Sequence, residues 1–361
     1  MKVALIADSN WLMHELTTFR RLAVGLVDEH VRVLRVVPQW ALREEDQLGM
    51  AGEAMAYPVA AWQWLRDRRL KLFAERLREK DVDVLHVLDG SLQRVGIALG
   101  QMLNLPVVCN LWTREYTDQL TADNGGVPIA YAAATDGLVE RARRRLAPAS
   151  VVSKAPPGVF VSAIEGAKPP LADPARSLSV LVIGNGKPDV HFQALMEAIA
   201  AERERLGHAL FFLYCGTSDQ HALWRLAERF KLLNQVSLVP GEPNSRDLMV
   251  QADVVIQPQA LGRARTLVLE AMAVARPIIA ADDPMLDYLR HGETAILLPQ
   301  VTPADWAAWL RQLVTEPQRF IDIGVSAQQY VQKNHSPSRF IQRMQELYHR
   351  MITPQTIPFQ K

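Results

Sequence analysis

The chain has 361 residues, 49% of them apolar and 22% charged, with a formal net charge of +1. That supplies real cores for two domains of ordinary size and excludes a bulk attraction for nucleic acid, so no nucleic-acid partner is expected. Only two cysteines, Cys109 and Cys215, occur, far apart and outside any CxxC or His/Cys cluster, so free buried thiols in a reducing compartment are expected and no metal site.

The N-terminal MKVALIADSN is too short and too polar after Ile6 for a signal peptide, and no stretch approaches the roughly 18 apolar residues of a membrane span, which points to a cytoplasmic protein. Lys2–Ala7 reads as a buried strand, Asp8, Ser9 and Asn10 as a loop or cap, and His14–Leu26 as a helix. Val31–Val37 is β-rich and closed by Pro38. Ala60–Lys80 reads as a helix, with Trp64, Leu65, Leu72 and Leu77 among many charges. Val82–Leu88, a helix over Leu92–Leu103 and a strand over Pro106–Leu111 follow. Strands separated by helical stretches imply parallel pairing in an α/β sheet.

Prolines 148, 156, 157, 169, 170 and 174 break any long helix between 147 and 176, and the domain junction is placed there. The second half repeats the alternation: a strand at Ser179–Ile183, a helix at Phe192–Leu206, a strand at Ala209–Cys215 and a helix at Asp219–Phe230. Val236–Val239, Arg246–Gln251 and Val254–Gln257 read as strand, short helix and strand. Leu267–Val274 is a helix, Pro277–Ala280 and Ala295–Leu298 are strands, and Pro303–Thr315 and two further helices finish the chain. Ser336-Pro337 starts the last of these, serine at the cap and proline at the first helical position. Two doubly wound α/β domains result, whose ligands bind at the carboxyl ends of the strands.

The run ADVVIQPQ…LVLEAMAVARPIIAADDPMLDYLRHGETAILLP, together with DVDVLHVLDG, LPVVCNLW and PPGVF, resembles glycosyltransferase family 4, most strongly from Ser177 onward. The resemblance implies a GT-B architecture of two Rossmann-like doubly wound domains facing across a cleft. Residues 1–158 would form the acceptor-side domain, 159–176 a proline-rich hinge and 177–335 the donor domain, while 336–361 would form a helix crossing back to the first domain. It also implies a retaining sugar transfer from a nucleotide-sugar to the hydroxyl of a glycan, lipid-linked or small-molecule acceptor, with no metal and no cofactor. Basic side chains and a helix N-terminus would carry the diphosphate's charge.

Carried over by position, Glu270 matches the second glutamate of the family's E-x7-E motif, a ribose ligand. Its other reading is a glutamate in the helix's first turn serving the dipole. Thr266 and Leu267 at the start of that helix, and Gly184, Asn185 and Lys187 after the first strand of the second domain, complete the donor-site candidates. Arg263 and Arg265 read either as phosphate ligands or as solvated surface arginines. On the acceptor side the candidates are Ser9, His14, Asp89, Trp112 and Arg114. Trp112 stands where the family often has a histidine and is read as a ring that stacks on sugar. His86 and Glu115 are candidate catalytic groups, His86 with the alternative of a satisfied core residue.

Several positions depart from the family. Gly262 replaces the first glutamate of the motif, and Asn185 and Val190 replace the arginine and lysine of the phosphate clamp. The first loop, DSNWLMHE, has no glycine. A catalytically silent relative that binds a nucleotide, glycan or partner enzyme is therefore the alternative reading. The basic residues among 62–80, with Trp62 and Trp64, suggest either a peripheral contact with the inner face of a membrane or a solvated helix.

Overall fold

A computed structural model describes residues 1–42, 51–56, 66–121, 126–161, 177–214, 220–239 and 245–353. Backbone contacts divide the chain into two compact units, Met1–Gly158 with Pro337–Lys361, and Val159–Ser336. Residues 162–176, most of the segment read as a hinge, lie outside the described residues, as do Cys215, Trp62 and Trp64.

The first unit is built on a seven-stranded parallel sheet: β1 (Lys2–Ile6), β2 (Arg32–Val37), β3 (Glu53–Ala56), β4 (Val84–Val87), β5 (Val107–Leu111), β6 (Ile129–Ala133) and β7 (Val151–Lys154). Its spatial order is β3-β2-β1-β4-β5-β6-β7. The central strands are mostly apolar and wholly buried because helices cover both faces of a parallel sheet. The helices are α1 (Ser9–Asp28), α2 (Arg66–Arg78), α3 (Gln93–Leu103), α4 (Arg114–Asp118) and α5 (Asp136–Arg145). Strands β3, β6 and β7 are additions to the sequence reading. β3 is a four-residue edge, β6 reads IAYAA with little β-branching, and β7 sits inside the proline-rich stretch taken as the junction.

The second unit holds a six-stranded parallel sheet in the order β10-β9-β8-β11-β12-β13. These strands are β8 (Ser179–Ile183), β9 (Leu210–Tyr214), β10 (Val236–Val239), β11 (Val254–Gln257), β12 (Ile278–Ala281) and β13 (Ile296–Leu298). Around it lie α6 (Val190–Ala201), α7 (Arg203–Leu206), α8 (Gln220–Arg229), α9 (Ser245–Gln251), α10 (Thr266–Ala273), α11 (Pro303–Thr315) and α12 (Pro317–Asn334). Phe192, Phe211, Trp306 and Phe320 are fully buried in its core, each contributing about 1.5–3 kcal/mol of apolar burial. Gly184 ends β8 because nothing larger fits: a Cβ there would lie 2.3 Å from the ring of Phe192.

The last helix, α13 (Pro337–Ile352), belongs to the first unit and packs on α1 and on β4, β5 and β6. Gly25 of α1 makes the close approach possible, since a Cβ there would meet Ile341 at 2.0 Å. Among the described residues no helix is long and apolar enough to cross a membrane. The helix read over Ala60–Lys80 is seen as α2, Arg66–Arg78, and residues 57–65 lie outside the described residues.

Candidate functional site

In the second unit the loops after β8 and β11 meet beside the start of α10. Gln259, buried in the β11 loop, is their common anchor. Its Oε1 accepts the backbone N–H of Asn185 (2.9 Å), while its Nε2 donates to Asn185 Oδ1 (3.0 Å) and to Asp189 Oδ2 (2.5 Å). Asn185 Oδ1 also accepts from the backbone of Lys187, at 2.8 Å. Asp189 caps α6, its Oδ1 taking the N–H groups of His191 and Phe192 at 3.1 Å each. One amide side chain thereby sets the shape of the segment from Gly184 to Asp189.

The second loop is held from the other side. Gly262 adopts a left-handed backbone, φ 59°, and its N–H donates to Asp283 Oδ2 at 2.6 Å. Asp283 Oδ1 accepts from Met285 N, so this carboxylate clasps the loop to the turn after β12. Arg265 is 6% exposed, and its Nη1 donates to the carbonyl of Gly184 at 3.1 Å. That burial corrects the reading of Arg265 as a solvated surface arginine: it is a strut between the two loops that also brings a fixed positive charge to the site. Arg263 is half-buried and Lys187 exposed.

Helix α10 starts at Thr266 behind Arg265, which makes no side-chain capping bond. By contrast α1, α4, α5, α6 and α11 are each capped by the side chain of an Asp or Thr. The start of α10 therefore keeps its helix-end electropositivity uncancelled by a capping carboxylate, the property that suits an anion. Glu270 is the fifth residue of α10 and 3% exposed, with no acid in the helix's first turn. This corrects its placement in the first turn: a glutamate one turn in is not serving the helix end. Val190, at the first position of α6, is 73% exposed and carries no charge. The N-terminus of α6 is already occupied by Asp189, so cations near this edge come from Lys187, Arg263 and Arg265.

Ser9, Asp89, Trp112 and Arg114 follow the neighbouring parallel strands β1, β4 and β5 at the carboxyl edge of the first unit's sheet, and His86 does not join them. His86 lies within β4, fully buried, rather than at the strand's end. Its Nε2 meets Asn110 Oδ1 at 3.1 Å, and its Nδ1 meets the Tyr348 hydroxyl of α13 at 2.6 Å. Burial pushes its pKa down to about 4 against a smaller opposing effect of the Asn110 bond, so the imidazole is neutral at ordinary pH. A group sealed between a sheet and a helix reaches no substrate, and the core reading of His86 is the one the geometry supports. Trp112 is 4% exposed and packs edge-on against Trp11, ring centroids 5.8 Å apart, so stacking on a sugar is not what its ring does here. Asp89 is buried at the start of the short turn Gly90–Leu92. Ser9 Oγ accepts from Trp40 Nε1 at 3.1 Å, and His14 is half-buried on α1. Arg114 and Glu115 are exposed on α4, Arg114 pairing with Asp118 at 3.7 Å. Cys109 is buried, its thiol pushed up to about 12, and hence unreactive.

Gln259, Asp189 and Asp283 escaped the sequence reading. Asp189 has a sequence signal, an N-cap residue just before an apolar helical run. Gln259 and Asp283 have none, because their partners are about 70 and 21 residues away. Among the described residues there is no group of three or more His, Cys, Asp or Glu able to hold a metal ion.

Residues 177–316 match the family model described as glycosyl transferases group 1. Sequence relatives include D-inositol 3-phosphate glycosyltransferases of Rhodococcus erythropolis, 30% identical over 154 residues, and Rhodococcus jostii, 29% identical over 151. Each alignment takes in 40% of this chain, which spans about a third of those relatives' length (34% and 33%). Over nearly its whole length the chain superposes on a sucrose-phosphate synthase of Thermosynechococcus elongatus, with TM-score 0.76, 15% identity and 97% and 98% of the two chains covered. The Anabaena protein HepE, solved with UDP-glucose, gives 0.74, 14%, 97% and 100%. At such identities the superpositions establish the fold, which is GT-B.

Proposed function

We propose that this chain, which has the GT-B fold and whose residues 177–316 match the model of the group 1 glycosyl transferases, moves a sugar from a nucleotide-sugar to an acceptor hydroxyl. The observation that carries the reading is the start of α10, where buried Arg265 makes no side-chain capping bond, with Glu270 one turn further on. The diphosphate would lie at that helix start, where backbone N–H groups and the helix dipole favour negative charge, with Arg263, Arg265 and Lys187 as counter-charges. Glu270 would accept from the ribose hydroxyls. Transfer would proceed with retention of configuration and without a metal, the leaving diphosphate being stabilised by these fixed charges. HepE, a fold relative, was solved with UDP-glucose, which makes uridine nucleotides the first donors to try.

A second reading rests on Asp189. Its carboxylate occupies the N-terminus of α6 and is locked there by Gln259, so one helix end beside the site presents an anion instead of accepting one. A protein that binds a nucleotide or a glycan without turning a donor over would tolerate this arrangement.

Melting temperature measured against UDP, GDP, ADP and their glucose conjugates distinguishes these readings, because a ligand that binds only the folded state raises it. A shift with one nucleotide family that Glu270→Gln lowers by at least half supports the placement. Slow hydrolysis or transfer of that donor, unaffected by a chelator, supports the enzyme over the silent binder. Absence of any shift at millimolar nucleotide sinks the enzyme reading and leaves only a binder of glycan, and a full shift in Glu270→Gln sinks the assignment of the ribose ligand.

A further inference from the structure

We propose that the second unit carries another ligand site, at the amino edge of its sheet, for a small phosphate monoester. A hollow of about 490 Å³ opens there beside the segments that lead into β8, β9 and β10. It lies at the edge opposite Gly184 and the start of α10, so it is separate from the nucleotide site proposed above and does not depend on it.

The walls of the hollow contain Arg203, His208 and Lys231, the neutral amides of Asn234 and Gln235 and, among the described residues, no carboxylate. A concave site with cations on its wall and no acid to neutralise them concentrates anions. Arg203 is fixed in place: its Nη2 donates to the carbonyls of Phe230, at 3.1 Å, and Lys231. Its Nε and Nη1 bond to none of the described residues and remain as donors. Lys231 is held at the backbone, with φ 57° and its N–H on Glu228 O at 2.9 Å, and the residue is exposed. Two cations are thus presented on one side by elements that do not depend on a ligand to position them. Charge-assisted bonds of this kind are about twice as strong as neutral ones.

Gln235 Nε2 donates to the carbonyl of Gly207 at 3.3 Å, which ties the segment before β10 to the segment before β9. Gly207 keeps the space open. Its backbone is left-handed (φ 54°), and a Cβ there would meet nothing within 4 Å. Two cations in a hollow of this size match a small phosphate monoester. The volume is within the range of small-molecule pockets, about 300–1,000 Å³.

The test is calorimetric titration of the full chain with glycerol 3-phosphate, with inorganic phosphate and glycerol as partial probes. One saturable site is expected for glycerol 3-phosphate, weaker binding for phosphate and none for glycerol. Lys231→Gln should weaken binding at least fivefold and Lys231→Glu more than tenfold. Both changes fall on an exposed side chain and leave the core alone. Lys187→Gln, at the other edge of the sheet, should leave the affinity unchanged. Four results would overturn the proposal: no saturable binding at tens of millimolar probe, unchanged affinity in Lys231→Glu, loss of binding in Lys187→Gln, or phosphate binding as tightly as glycerol 3-phosphate.

Discussion

Acidification should loosen the first unit through one residue, His86. Folded, its pKa lies near 4, because the ring is sealed between β4 and α13, whereas an unfolded chain has the ordinary value of about 6.5. Above pH 6.5 both states hold the ring neutral and the burial has no pH-linked cost. As the pH falls, the unfolded state takes up a proton that the folded state refuses, so stability declines from about 6.5 down to about 4 and levels off below it. The full loss is about 3 kcal/mol, and the part between pH 7 and pH 5 is about 1.8 kcal/mol, or about a 20-fold larger opening constant. Hydrogen exchange read by mass spectrometry on peptides spanning Val84–Val87 and Pro337–Ile352, corrected for the intrinsic exchange rate, measures that constant directly. In His86→Gln this contribution disappears, although carboxylates elsewhere still titrate. The reasoning fails if the wild type and His86→Gln show the same pH dependence, or if these peptides gain protection on acidification.

Three substitutions test the packing around the second unit's loops. Gly324→Ala would press a Cβ to 2.3 Å from the backbone oxygen of Ala275, and an overpacked contact that cannot relax should cost about 3 kcal/mol and lower the melting temperature by about 6–12 °C. Gly184→Ala should cost about 1–3 kcal/mol in urea unfolding, because it forces Phe192 out of its rotamer at the floor of the site. Gly262→Glu, which restores the family carboxylate, should destabilise by about 1–2 kcal/mol through its left-handed backbone and gain nothing in nucleotide-sugar affinity by titration.

Much of the fold was legible in the sequence because a parallel α/β sheet declares itself through alternating apolar runs and helical stretches. Ser179–Ile183, Val236–Val239 and Pro303–Thr315 were read to the residue. The misses share a cause: β3, β6 and β7 owe their strand character to pairing with β2, β5 and β6, a contribution that a local pattern of small or polar residues does not show. The site divides in the same way. The helix with Glu270 was legible, but the depth of Glu270 within it was not, and a single turn decides whether a carboxylate serves a helix end or faces elsewhere. His86 and Trp112 were drawn into the site by their place near strand ends, and only the long-range partners Tyr348 and Trp11 reveal them as core.

Gly262 shows why the missing family carboxylate is not a simple vacancy. A glutamate at this position would have to take up a backbone that costs L-residues about 1–2 kcal/mol, with its own N–H bonded to a second carboxylate, Asp283. Asp283 in turn spends both oxygens on backbone N–H groups and so holds the loop instead of presenting charge to a ligand. In place of a glutamate side chain the loop has a backbone turn, and Arg265 beyond it is fixed against Gly184. At the donor site as proposed, fixed positive charge and helix-end N–H groups would favour the diphosphate, while specificity for the sugar would come from residues other than position 262. If the donor site is where we place it, affinity should track the nucleotide diphosphate far more than the identity of the sugar.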